Sequence, residues 1–92
     1  MFEFDAEKSR TNKVKHGIDF FEAQNIWEST YIIIPTKNVL GENRSAIIGT
    51  LGHTFYVAIF TIRSEKIRII SCHKADKRWV KIYEKYIDQE NE

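Results

Sequence analysis

Three β-rich runs in close succession, Arg44 to Leu51, Thr54 to Ile62 and Lys66 to Ser71, constrain the chain more than any other feature. Only the short turns Gly52-His53 and Arg63-Ser64-Glu65 separate them, a spacing that suits consecutive antiparallel hairpins of a meander. Upstream, TYIIIP reads as a further strand closed by Pro35, and Thr36 to Asn43, with Gly41, reads as a polar loop. The expected sheet is therefore four-stranded and antiparallel.

Helical signals flank these runs. Phe2 and Phe4 about Glu3 form a short alternating start, Asp5 is a good N-cap for a helix through Lys15, and Gly17 can end that helix in the left-handed conformation. Asp19 and Glu22 then make a capping-box pattern, after which Phe20, Ala23 and Trp27 share a face at helical spacing. These two N-terminal helices are expected to form a hairpin. A last helix, starting near Ala75 or Asp76, carries Trp79, Tyr83, Tyr86 and Ile87 on one face and can cover one side of the sheet. Two helices, four strands and a C-terminal helix, with no βαβ alternation, define an α+β architecture.

With 92 residues, the chain suits one domain over 1–92, and 42% hydrophobic content excludes a disordered chain. Cys72 has no cysteine to pair with, and no Cys and His group shows zinc-ligand spacing, so a cytoplasmic protein without metal or cofactor is expected. The N-terminus lacks a basic start followed by an apolar run, and no stretch approaches the roughly 20 apolar residues of a membrane span. The net charge of +1 hides an uneven layout. Glu65 to Lys81 holds six basic residues against two acidic ones, so a polyanion would be gripped locally there.

Within that segment, Lys66, Arg68 and Ser71 alternate against Ile67, Ile69 and Ile70 in a strand that runs into a basic helix start. Arg68, His73, Lys74, Lys77 and Arg78 are expected at one rim of the sheet, either as a solvated face or as a grip on RNA phosphates. Metal-free RNA cleavage needs fixed cations around a phosphorane, and Arg63, Arg68, Lys74 and Arg78 are the candidates, Arg68 and Arg78 foremost. It also needs groups that exchange protons near neutral pH, which points to His16 and, better placed, His73. His16, just before the helix-ending glycine, can equally interact with the last carbonyls of its helix. His53 in a turn reads as exposed, and Cys72, with no partnering base, reads as a core residue. Lys77, Lys15 and the neighbouring Lys8 and Lys13 extend the cationic surface or form a solvated face. Most of the aromatic residues are better explained as core than as stacking platforms for bases.

FEFD at Phe2 to Asp5, NKVKHGI at Asn12 to Ile18 followed by DFFEA, FTIRSEKIRIIS at Phe60 to Ser71, and HKADKR at His73 to Arg78 recur together. In this order, over nearly the whole length, they resemble the BrnT family of toxins. The resemblance implies a RelE-like fold, a ribonuclease activity that arrests growth, and a BrnA-type antitoxin that neutralises the toxin in a heterotetramer and carries the complex to operator DNA. Family members usually have a basic residue, often Arg, in the segment where this chain reads Cys72-His73-Lys74, and His73 takes the Arg place. Arginine stays charged and forks onto phosphate, whereas histidine titrates and can move protons. A noncatalytic partner-binding module within a DNA-binding repressor complex is the competing expectation. A plain RNA-binding domain lacks any RNP, KH or double-stranded-RNA signature.

Overall fold

The computed structural model describes residues 1–90. After a two-residue strand β1 (Phe2–Glu3), the Asp5 carboxylate accepts the Lys8 backbone N–H at 3.0 Å and starts helix α1 (Ala6–His16). Gly17, at φ 74°, ends it by donating its N–H to the Lys13 carbonyl. This helix has almost no apolar face. Its buried side chains are Ser9 and Asn12, so hydrogen bonds to other elements, more than greasy contact, hold it in place.

Helix α2 (Phe20–Ala23) opens with the Asp19–Glu22 capping box, with both reciprocal hydrogen bonds present. It is shorter than the expected hairpin partner and tightens at once into a 3₁₀ helix over Gln24–Glu28. Phe20, Ala23 and Ile26, three residues apart, are all essentially fully buried, and the three-residue turn of a 3₁₀ helix brings Ile26 round to their face. Gly49 on the sheet makes room for this segment, since a Cβ there would collide with the Ser29 hydroxyl.

The strands β2 (Ile32–Val39), β3 (Glu42–Leu51), β4 (Thr54–Arg63) and β5 (Lys66–Lys74) form the expected meander, with β1 added to it. The order β1-β5-β4-β3-β2 makes a five-stranded mixed sheet instead of a four-stranded antiparallel one, because β1 joins β5 in parallel at Phe2↔Ile67 and Glu3↔Arg68. Pro35 does not close its strand. It lies on the edge strand β2, where proline is tolerated, and pairing resumes after a register shift between Pro35 and Asn38. The expected loop Thr36–Asn43 is therefore a hairpin with Leu40 and Gly41 at its tip. Strand β5 runs on to Lys74, with Ile70 left over where Ile59↔Ser71 gives way to Phe60↔Ile69.

Asp76 caps α3 (Lys77–Glu90) by accepting the backbone N–H groups of Arg78 and Trp79. Trp79, Ile82, Tyr83 and Ile87 pack over Ile32, Ala46, Ile48 and Val57 on one sheet face, whereas Tyr86 is left 44% exposed. On the other face Ile18, Phe20, Ala23 and Ile26 meet Ile47, Ala58, Phe60, Ile69 and Cys72. The sheet is thus sandwiched between α3 and the N-terminal helices. Among the described residues no helix is long and apolar enough to cross a membrane.

Candidate nucleic-acid interface

Strand register builds the site. Thr61 on β4 lies directly opposite Arg44 on β3 and directly opposite Arg68 on β5. Directly opposed residues share a sheet face, so the two arginines flank Thr61 in one row about 10 Å wide. Arg63, two residues beyond Thr61, has the same facing by strand alternation. Thr61 is buried between them, and its hydroxyl donates to the Asn43 carbonyl at 2.7 Å.

Lys8 from α1 closes this row into a pocket of about 240 Å3, lined by Asp5, Lys8, Glu42, Arg44, Arg63, Arg68, Ile69 and Ile70. Its cations are held by internal carboxylates. Glu42 accepts from Arg63 at 2.7 Å and from Arg44 at 3.4 Å, and Glu3 accepts from Arg68 at 2.9 Å. The Arg63 hydrogen bond, reinforced by Arg44, holds the Glu42 carboxyl below its ordinary range. Each guanidinium carries five N–H donors, so a single ion pair orients it and leaves donors for phosphate oxygens.

A second pocket of about 260 Å3 adjoins the first, sharing Lys8 and Ile70 and adding Thr11, Asn12, Lys15, His16, Phe20 and Ser71. Beside it His16, on the last turn of α1, lies with its ring centre 5.7 Å from that of His73. The His73 Nδ1 is 2.8 Å from the Lys74 carbonyl, which can only accept, so Nδ1 donates there and Nε2 is left for another partner. His73 pairs with Val57, four residues along β4 from Thr61, which puts it about 13 Å from Arg68 along the same sheet face.

Of the candidate site residues, the structure gathers Arg63 and Arg68 in the first pocket and Lys15, His16 and His73 at or beside the second. The others lie elsewhere. Arg78 does not join Arg68: α3 starts beyond the end of β5 and crosses toward β2, so Arg78 sits with Ile34, Pro35 and Thr36 near the opposite sheet edge, 3.6 Å from Asp76. Lys74 and Lys77 are exposed at the strand end and the helix start, outside both pockets. Arg44 and Glu42 are the residues missed. The hairpin count supplied a signal for Arg44, because Gly52-His53 sets Leu51↔Thr54 and, counting back, Arg44↔Thr61. His53 is exposed, and Cys72 lies in the core with its thiol pushed up to about 12 by burial. Among the described residues, no three His, Cys, Asp or Glu side chains cluster as metal ligands would.

Taken together, the α+β sandwich and the arginine row define a small domain with a cationic groove suited to a polyanion. The family model for BrnT, the ribonuclease toxin of type II toxin-antitoxin systems, matches residues 4–78, and the chain belongs to that family. No curated protein matches it.

Proposed function

We propose that this one-domain chain is the toxin of a type II toxin-antitoxin module, a metal-independent endoribonuclease of RelE-like construction that inhibits translation and growth in the cytoplasm. The observation that carries this reading is the Arg44–Thr61–Arg68 row, completed by Arg63 and Lys8, whose pocket adjoins the groove beside His16 and His73. An RNA strand lying along β5 has its phosphates anchored at the arginines while another phosphodiester sits at the histidines. There His73 Nε2 takes the proton of a 2′-hydroxyl, the 2′-oxygen bonds to phosphorus, and the bond to the 5′-oxygen breaks. Protonated His16 supplies the leaving oxygen with its proton, and Lys15 adds positive charge nearby. The products are a 2′,3′-cyclic phosphate and a free 5′-hydroxyl. A BrnA-type antitoxin neutralises the toxin in a heterotetramer and alone brings the complex to operator DNA. Lys74, Lys77 and Arg78, outside both pockets, then serve flanking RNA or the partner.

Purified protein is expected to cut RNA in the presence of EDTA and to leave cyclic phosphate ends. The roughly 13 Å between Arg68 and His73 favours one rival, a noncatalytic module that grips a polyanion without cutting it. RNA binding with no cleavage under any condition that supports folding identifies that rival.

A further inference from the structure

A larger cavity, of about 580 Å3, lies at the open end of the β3–β4 hairpin and is lined by Gly41, Glu42, Asn43, Ser45, Phe60, Thr61, Ile62 and Arg63. We infer that it is a nucleobase subsite, which reads one base of the RNA whose phosphate the arginine pocket holds. This rests on the ribonuclease reading above. Three features of the two cavities carry it.

The first is continuity. Glu42 and Arg63, paired at 2.7 Å where β3 begins and β4 ends, line both cavities. Strand alternation turns Arg44, Thr61 and Arg63 to one sheet face and Asn43, Ser45, Phe60 and Ile62 to the other, so the two cavities meet around this end of the sheet. A nucleotide whose phosphate is bound by Arg63, itself exposed at that end, reaches the larger cavity by turning its base around the sheet end.

The second is the character of the walls. Ile62 is an aliphatic side chain left 61% exposed at the mouth, a ledge on which a flat base can lie, and Phe60 supplies an apolar wall. The volume falls in the range of small-ligand sites, which combine apolar walls with a few placed polar groups.

The third is the polar group. Asn38 donates to the Asn43 side-chain oxygen at 2.8 Å, which fixes the amide and leaves its N–H donors for another acceptor. Nucleobases present such acceptors on their carbonyl oxygens and ring nitrogens, and RNA is commonly read through the exposed edges of unpaired bases. Ser45 adds a hydroxyl that can donate or accept.

Nuclear magnetic resonance titration with uncleavable 2′-deoxy dinucleoside monophosphates of each base tests this, alongside an abasic deoxyribose-phosphate probe. The base-bearing probes are expected to shift the amides of Asn43, Ser45 and Ile62 by amounts that depend on the base. The abasic probe should shift only the arginine pocket. Asn43→Ala and Ile62→Ser should each weaken base-bearing probes about ten-fold, toward the abasic value, the size that loss of one stacked base produces. Shifts confined to Lys8, Arg44 and Arg68, the same for every base, overturn the subsite and leave the ribonuclease reading standing. If no probe shifts either cavity, both fail.

Discussion

Asn12 takes the place of a neighbouring strand for Cys72. Its side-chain amide donates to the Cys72 carbonyl at 2.7 Å and accepts the Cys72 N–H at 3.3 Å, while a second donation reaches the Ile18 carbonyl at 2.8 Å. Strand β1 pairs with β5 only at Ile67 and Arg68, so farther along β5 this one side chain meets backbone groups that would otherwise face α1 unpaired. The same contact fixes α1 against β5, and with it the Lys8, Lys15 and His16 side of the groove.

Replacing Asn12 with leucine removes three hydrogen bonds and leaves buried backbone donors and acceptors unmatched. A loss of about 2–3 kcal/mol is expected, because an orphaned buried polar group carries its full desolvation penalty. Urea denaturation measures it. Residual folded Asn12→Leu protein should also bind RNA more weakly, since α1 no longer holds its register on β5.

Glu42 gives the arginine pocket a pH response. Its folded-state pKa lies below the ordinary value of 4.5, through Arg63 first and Arg44 after. The stability from this pairing is therefore fully present above the unfolded pKa and is lost as pH falls through the folded one. Thermal melts from pH 6 down to 3 should show a shallower decline for Glu42→Gln than for the parent chain. At neutral pH the same variant frees Arg44 and Arg63 and should bind RNA more tightly in anisotropy titrations.

The β4–β5 turn carries Ser64 and Glu65 at φ 52° and 66°, both left-handed and neither glycine. Asn-Gly is the sequence best suited to two consecutive left-handed turn positions. Ser64→Asn with Glu65→Gly should stabilise the fold by about 1 kcal/mol, which for a domain of this size raises Tm by about 5 °C. Differential scanning calorimetry checks this, and cleavage activity should be unchanged.

Cys72 should behave as an inert core residue. With the thiol buried and its pKa pushed up to about 12, almost no thiolate exists at pH 8. Iodoacetamide should leave the native protein unlabelled, label it fully in 6 M guanidinium, and not affect ribonuclease activity.

How far the chain was legible differs from element to element. Strand β5 was read as alternating throughout, whereas the structure leaves Ile70 unpaired between Ile69 and Ser71, and the two adjacent isoleucines were the signal passed over. The caps at Asp5, Gly17 and Asp19 sit where local chemistry put them. Strand β1 was seen as a short start but not as a sheet member, because two residues carry no period and its parallel partner lies far along the chain. Pro35 was misleading since its effect depends on edge position, a tertiary property. Arg78 was misplaced because closeness to Arg68 in sequence does not survive a helix that crosses the sheet toward β2. Asn12 stood in a recognisable motif, but nothing local tells a solvent-facing amide from one that completes a sheet edge.

The central claim is a division of labour along β5, with arginines that anchor RNA and histidines that cut it. Paired binding and cleavage assays in EDTA on Arg68→Ala and His73→Ala test this most directly. Arg68→Ala should weaken binding about ten-fold and lower the salt dependence of binding by about one ion, the signature of a lost phosphate contact. His73→Ala should bind RNA as the parent does and release cyclic phosphate ends at least about a hundred-fold more slowly. Full cleavage by His73→Ala, or unaltered RNA affinity in Arg68→Ala, contradicts the account.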